Sequence, residues 1–479
     1  MLELPQHKTK IVCTIGPSSR SSSILKRLIQ SGLNVARLNL SHGSLEEHKK
    51  SIRTIRSLAA KLDHVVLILV DLPGPKIRIG QLSHEPLVLK AGEEVILTTK
   101  NICGTASHIP VNYSGLPKSV SQGNLIYLND GFIQLRVHSA SRNEVKCKVI
   151  IGGPLLSYKG LNIPGAKLNI GAITKTDLDY VDFGLKNGIN SFSASFVGDA
   201  NDILKLKDFA HKRGASINVV AKIERAEAIE NIDRIIEVAD AIMVARGDLG
   251  VQIPVEEIPI VQKNLIRKAN LAGCPVITAT QMLESMTENT RPTRAEVTDV
   301  ANAILDGTDA LMLSEETAIG KYPVDAVRMM TKIALSTEHQ RNTYGFSFHS
   351  ERYFKRVGQK MMSIEDVVSV NVIESVRALN ARLILTPTHS GSTVRSIARF
   401  KPDCWNLAFC RDRSVRDFLI LSYGAYPIII RHKIEDWTET MLRFIRKNRL
   451  AVKGDTLVMT QGISGKRDGT NSLRVIRLS

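Results

Sequence analysis

The chain has 479 residues, 43% of them hydrophobic and 23% charged, with a formal net charge of +17. That length exceeds what a single core supports and asks for two or three globular domains. No run of eighteen apolar residues occurs, which excludes a helical membrane span. The scattered cysteines, Cys13, Cys103, Cys147, Cys274, Cys404 and Cys410, lack CxxC spacing, which excludes a zinc or disulfide framework.

The excess of bases favours anionic partners: nucleotides, phosphorylated metabolites or nucleic acid. Aromatics are only 5% and the bases are spread out, so the stacking platforms of a nucleic-acid binder are lacking. The start, "MLELPQHKTKIVCTIG", has no basic region followed by an apolar stretch and a small-residue cleavage site, so a cytoplasmic location is expected.

Strand-length apolar runs are predicted at Lys10–Ile15, Asn34–Leu38, His64–Val70, Ser191–Ser195, Ile217–Ala221, Ala241–Val244, Pro275–Ala279 and Ala310–Leu313. Helical periodicity follows nearly all of them, as at Ser21–Ser31, Leu45–Leu62, Asp199–Lys212, Ala226–Ala239 and Pro323–Ser336. Eight such units in series predict an α/β fold built on a (β/α)8 TIM barrel. Residues 1–72 and 172–345 would form it.

Residues 73–171 interrupt the rhythm with short β pieces such as "EEVILTT", "NLIYLNDGFIQLRV" and "EVKCKVI", predicting an inserted small β-barrel domain placed as a lid. Residues 346–479 resume as a separate C-terminal α/β domain, with strands at "RLILT", "WNLAF", "AYPIII" and "DTLVMT".

A barrel of this kind carries its chemistry at the C-terminal ends of its strands. The second strand ends in "ARLNLSHG", with Arg37, Asn39, Ser41 and His42, and the third runs into "DLPGPKIRIG", with Asp71, Leu72, Lys76 and Arg78. The fifth ends in "AKIER", with Lys222 and Glu224, and the sixth in "ARGDLG", with Ala245, Arg246, Gly247 and Asp248. Thr280 ends the seventh, and Ser314 and Glu316 follow the eighth. Charged strand ends also occur simply because they meet water; Arg225 and Glu227 read as helix-surface groups, and His42 beside Gly43 as a turn residue or a nucleotide contact. Polar groups on six strands at one end make a site the stronger reading. Arg37, Lys76, Arg78 and Lys222 suit anions, while Glu224 and Asp248 suit a hard cation such as Mg²⁺.

Taken together, "ARLNLSHG", "GPKIR", "AKIER", "MVARGDLGVQIP", "TATQMLESM", "PTRAEVTDVANAILDGTDALMLSEETAIGKYP" and "THSGST" resemble pyruvate kinases over essentially the whole chain. The resemblance implies transfer of a phosphoryl group from phosphoenolpyruvate to ADP, giving pyruvate and ATP. By that resemblance Lys222 neutralises the transferring phosphoryl group and the enolate oxygen, and Arg37 grips the phosphate. Glu224 and Asp248 hold Mg²⁺, with Mn²⁺ as an alternative, and a second Mg²⁺ arrives with the nucleotide. The backbone at Ala245, Arg246 and Gly247, with Thr280, binds the carboxylate. Thr280, Ser314 and Glu316 lie on the route of the proton to the enolate carbon, and Arg78, His42 and Asn39 serve the nucleotide.

By the same resemblance, many relatives carry glutamate at position 76 and bind K⁺ through residues matching Asn39, Ser41, Asp71 and Leu72. With Lys76 the chain is similar instead to a lysine-bearing, bacterial-type branch associated with K⁺ independence. Lys76 brings its own positive charge, so Lys76 counts among the catalytic groups and K⁺ is expected to be dispensable. The opposing reading has Lys76 in solvent and K⁺ still bound. Two further departures are "ITKTD", with Thr176 at the family's usual lysine position and Lys175 one residue earlier, and Glu315 at a position more often small.

"LTPTHSGST" places Thr386, Thr388, His389, Ser390, Gly391, Ser392 and Thr393 between a strand and a helix start, and "GISGKRDGTN" adds Lys466 and Arg467. Spacing alone allows a phosphate site or an ordinary helix cap; the resemblance implies a phosphorylated effector, and also a homotetramer. The rivals are a metal-dependent lyase, which would need no ADP, and a nucleic-acid binder.

Overall fold

The computed structural model describes residues 2–129, 131–165, 171–341, 362–431, 434, 436–462 and 469–479. Eight parallel strands, Lys10–Thr14, Val35–Asn39, Leu67–Asp71, Ser191–Ala194, Asn218–Ile223, Ala241–Ala245, Val276–Ala279 and Ala310–Leu313, pair in sequence order and close, the eighth against the first. Strand alternation sorts their side chains into two layers. Val12, Val35, Leu67, Leu69, Val220, Met243, Ile277 and Met312 fill the barrel, while Ile11, Cys13, Leu38, Val70, Val219 and Val244 join the core beneath the helices.

The helices start where the sequence stops competing with them. Ser44, Thr174, Asp199 and Thr293 each cap a barrel helix by accepting a backbone N–H, with an acidic residue three positions on returning the bond. One predicted helix is divided: the 226–239 stretch forms Ala226–Glu230 and Ile232–Val238. Asn231 stands at the break, its side-chain amide donating to the Gly198 carbonyl at 3.1 Å, a local bond that competes with helix continuity.

The insertion has its own apolar core, from Ile77 through Leu97, Leu135 and Val145 to Ile163. A six-stranded sheet runs from Leu161–Asn162 at one edge to His108–Pro110 at the other. Arg78 bridges to Gly160 and Ile79 to Val111, so the entering segment links the two edges of this sheet.

In the C-terminal domain a five-stranded sheet orders as Ala425–Ile429, Trp405–Cys410, Leu383–Pro387, Thr456–Gln461 and Ser472–Arg477. The last strand is antiparallel and was not anticipated. The domain also seals the eight-stranded barrel from below: Phe418, Ile420 and Leu421 belong to the same core cluster as the barrel interior.

Charged residues are buried at this junction as well. Lys10 is 2% exposed and donates to the Ala425 carbonyl at 2.9 Å, its ammonium 4.7 Å from the Trp405 ring centre. Burial lowers its pKa from 10.5 to about 7, against the opposing pull of Glu338 and Asp309. Between those values the unfolded chain binds the proton and the folded chain does not, so Lys10 makes stability rise with pH across that window. Lys10→Met should therefore raise the thermal midpoint near about pH 7, with the gain shrinking toward about pH 10. Calorimetric melts at both pH values check this, and an equal gain at both would contradict it.

Candidate active site

Every barrel strand contributes at its C-terminal end, including two that the sequence reading passed over. Arg37, 8% exposed, donates from Nε to Asp71 Oδ2 at 3.0 Å, pairs with the same oxygen through a second nitrogen, and donates to Thr14 Oγ1 at 2.8 Å. Ser193 donates to the other Asp71 oxygen at 2.5 Å. Lys222 donates to Ser195 Oγ at 2.7 Å and lies 2.8 Å from Glu224 Oε1 and 3.6 Å from Asp71 Oδ2. Thr14, Ser193 and Ser195 thus orient the charged residues from strand one and from strand four and the loop after it. The alternation of Ser191, Ser193 and Ser195 along one strand face is the signal that could have revealed the last two.

The electrostatics follow from burial among opposite charges. Burial disfavours the Asp71 carboxylate, but Arg37 and Lys222 outweigh it and hold its pKa below the ordinary value. Burial likewise opposes the Lys222 ammonium; Asp71 and Glu224 reverse this and raise its pKa, so it stays charged. For Glu224 burial wins: its pKa is raised despite Lys222, with Asp248 adding to the rise. Glu224 Oε2 accepts the Phe196 N–H at 2.7 Å, whereas buried Oε1 has an ion pair without hydrogen-bond alignment.

Glu224 and Asp248 fit a hard divalent cation for that reason: one oxygen of Glu224 keeps unspent lone pairs, and the Asp248 side chain is 24% exposed at the mouth. Among the described residues no group of three His, Cys, Asp or Glu assembles. Two carboxylates leave coordination places for substrate and water, the usual Mg²⁺ arrangement.

Lys76 answers one expectation and departs from another. Its ammonium is not in open solvent; it donates to Asp248 Oδ1 at 3.0 Å. Nor is it paired with the residues matched to the K⁺ site. There, Asn39 Oδ1 accepts the Ser41 N–H at 3.1 Å, Asp71 is taken by Arg37 and Ser193, and the Leu72 N–H reaches the Ser193 carbonyl at 2.9 Å.

On strand six Ala245 leads into a short helix, Arg246–Leu249. The Gly247 N–H donates to Thr280 Oγ1 at 2.8 Å, and Thr280 in turn donates to the Ala279 carbonyl at 2.6 Å. The Arg246 guanidinium is spent on Asp299 at 2.8 Å and the Thr280 carbonyl at 2.7 Å, so it clamps strand seven. Thr280 has φ 70, a conformation costly for a β-branched residue and of the kind held at functional sites. Buried Glu316 accepts the N–H groups of Ser314 at 2.6 Å and Leu283 at 3.1 Å, which stiffens the turn after strand eight.

At the rim, Arg78 donates to the Tyr158 carbonyl of the inserted domain at 2.9 Å. Partial burial and the nearby Arg78, Arg37 and Lys76 lower the His42 pKa, while Glu315 opposes them. The carbonyl of His42 is pinned by His48 Nε2 at 2.8 Å, a partner the sequence reading did not name. Lys175 and Thr176 are both exposed in the first turn of the helix Lys175–Lys186.

In the C-terminal domain, Thr388, His389, Ser390, Ser392 and Thr393 line a cavity of about 130 Å³ together with Trp437, Gln461 and Thr470. Gly391 has φ 82 and caps the helix Ser392–Ala398, a conformation open to glycine. Thr386 lies apart from the cavity lining, fully buried and donating to Asn406 Oδ1 at 2.8 Å. Lys466 and Arg467 fall outside the described residues.

Residues 6–327 match the family model described as pyruvate kinase, barrel domain, and residues 366–476 match pyruvate kinase, alpha/beta domain. The chain belongs to the pyruvate kinase family. It is 48% identical over 478 residues to the pyruvate kinase of Thermococcus litoralis, with both chains covered completely. It is 42% identical over 473 residues to that of Bacillus licheniformis, covering 98% of this chain and 80% of that one. A crystal structure of a pyruvate kinase from Cryptosporidium parvum superposes with a TM-score of 0.91 at 36% identity, covering 99% of this chain and 97% of that one. The family moves the phosphoryl group of phosphoenolpyruvate to ADP in glycolysis, generally with Mg²⁺ and usually with K⁺. The fold agrees with the expected barrel, inserted β domain and C-terminal α/β domain. Among the described residues no helix is long and apolar enough to cross a membrane.

Proposed function

We propose that the cluster of Arg37, Asp71, Lys222, Glu224 and Asp248 transfers the phosphoryl group of phosphoenolpyruvate to ADP. The bond from phosphorus to the enol oxygen breaks, the bond from phosphorus to a terminal ADP oxygen forms, and the enolate carbon takes up a proton. The observation that carries this reading is the buried Lys222 ammonium, fixed between Asp71, Glu224 and Ser195 and kept charged by its neighbours. A fixed ammonium stabilises charge that develops on the enolate oxygen without reorganising at the moment of reaction. Mg²⁺, when bound, would neutralise phosphoryl and enolate oxygens, and Glu224 and Asp248 are the residues to hold it.

Arg37 supports the phosphate, presented by Asp71 and Thr14. The Gly247 N–H, which donates to Thr280 Oγ1, and the Thr280 hydroxyl, which donates to the Ala279 carbonyl, would turn to the substrate carboxylate as its donors. Thr280, Ser314 and Glu316 line the proton's route to the enolate carbon. Arg78, His42 and Asn39 receive the nucleotide at the rim, and Lys175 stands near the place of the family's missing lysine. Residues 73–171 act as a lid over the barrel of 1–72 and 172–345, keeping water from the phosphate. Pyruvate formation should depend strictly on ADP and yield equal ATP; pyruvate without ADP would instead support the lyase reading.

Lys76 is read as the built-in replacement for K⁺, supported by its place within the charge cluster and by the engagement of Asp71 with two cations. Lys76→Glu should lose at least about ten-fold activity without K⁺ and recover it with KCl, because the exchange alters the local charge by two. Steady-state assays at constant ionic strength check this; a variant indifferent to K⁺ would contradict it. The hydroxyl-lined cavity at Thr388–Thr393 is read as the site of a phosphorylated effector, in a cytoplasmic homotetramer.

A further inference from the structure

Each carboxylate assigned to the metal already faces an ammonium. Lys222 Nζ lies 2.8 Å from Glu224 Oε1, and Lys76 Nζ lies 3.0 Å from Asp248 Oδ1. With Arg37 on Asp71, three carboxylates meet three cations, and the centre is formally neutral before any ligand arrives. A divalent cation entering alone would leave it with two uncompensated positive charges.

The three cations differ in their anchorage. Arg37 and Lys222 stand on barrel strands, whereas Lys76 lies in the connection into the inserted domain. Its side chain runs past Gly160, beside the edge strand Leu161–Asn162 of the inserted domain, where an added Cβ would sit 3.2 Å from Lys76 Cε. Its side chain is 27% exposed, against 10% for Lys222, so Lys76 is the cation with room to leave.

We propose that Lys76 is the resident counter-ion of Asp248 in the free enzyme, and that a divalent cation gains Asp248 only as Lys76 moves off it. Metal alone then binds weakly. A phosphorylated acid brings the negative charge that lets metal and ammonium share the centre, so metal and substrate enter together. The released ammonium remains beside the incoming phosphate, which joins the metal site to the lid hinge through one side chain. Lys76 acts here as a positioning residue. The inference rests on the reading of Glu224 and Asp248 as the metal carboxylates.

Mn²⁺ alone is the probe, its free fraction counted by electron paramagnetic resonance at fixed ionic strength without nucleotide, phosphoenolpyruvate or K⁺. Lys76→Met should bind Mn²⁺ about ten-fold more tightly than the natural chain, since one nearby like charge is gone. Lys76→Arg should stay within about two-fold of it, because the charge is kept. Adding phosphoenolpyruvate should narrow the gap between natural chain and Met variant. Circular dichroism confirms that the variants fold, and the effect of phosphoenolpyruvate on Mn²⁺ affinity tests the natural chain by itself: no tightening there overturns the proposal. Equal Mn²⁺ affinity in the natural chain and the Met variant also overturns it. Adding Asp248→Asn to the Met variant separates the two readings. Lost Mn²⁺ binding in that double variant keeps the metal assignment whatever Lys76 does, and unchanged binding overturns assignment and proposal together.

Discussion

Lys222→Met should lower kcat by about 10³-fold, the loss seen when a fixed group aimed at developing transition-state charge is removed. The methionine fills most of the lysine's volume but leaves the enolate oxygen without its ammonium. Phosphoenolpyruvate KM should change less than kcat, because Arg37, Gly247 and Thr280 still hold the ground-state substrate. The same substitution strips a positive charge from Asp71 and Glu224, both buried, so stability should fall as well. Activity must therefore be compared per folded molecule, at a temperature well below the variant's melting midpoint. A loss of only a few-fold under those conditions would remove Lys222 from the chemistry and leave it a structural role.

The largest effect on stability is expected at Asp309, far from the reacting groups. This residue precedes strand eight at the barrel floor, 3% exposed. One oxygen accepts the Tyr423 N–H at 2.9 Å and lies 2.8 Å from the ammonium of buried Lys401; the other accepts the Val276 N–H at 3.1 Å. Asp309 therefore ties the barrel to two segments of the C-terminal domain, through Tyr423 and Lys401, while its other oxygen holds strand seven. Asp309→Ala would leave a buried ammonium without its counter-charge and two backbone N–H groups unpaired. Breaking a buried pair in this way costs about 3–5 kcal/mol. Denaturant melts of the full chain measure it. The double variant Asp309→Ala with Lys401→Met should recover part of the loss, since no lone charge remains. A loss below about 1 kcal/mol in the single variant would mean that water reaches the junction freely.

The barrel was legible because its strands are apolar runs set between periodic helices, and strand boundaries shifted by only a few residues. Arg37, Asp71, Lys222 and Glu224 were legible because several apolar strands carry charges at the same end, where a single charged strand end could simply meet water. Thr14 was not, since a small hydroxyl inside a strand reads as an ordinary strand residue, and Ser193 and Ser195 left only their alternation with Ser191 as a signal. The pairing of Lys76 with Asp248 spans 172 positions and has no local signature. Neither does the seating of Phe418, Ile420 and Leu421 in the barrel floor, which only the packing of two domains creates. The final strand, Ser472–Arg477, escaped notice because it is an edge strand carrying Arg474 and Arg477, charges that discourage edge pairing and also blur the apolar pattern.

The most direct measurement is pyruvate formation by the natural chain from phosphoenolpyruvate, ADP and Mg²⁺, with and without KCl. Ionic strength is held constant with a bulky organic cation salt. Equal, ADP-dependent activity in both conditions is the result expected if Lys76 supplies the charge that K⁺ supplies in glutamate-bearing relatives. Activity only with KCl would contradict that role for Lys76, and no activity in either would contradict phosphoryl transfer at this cluster.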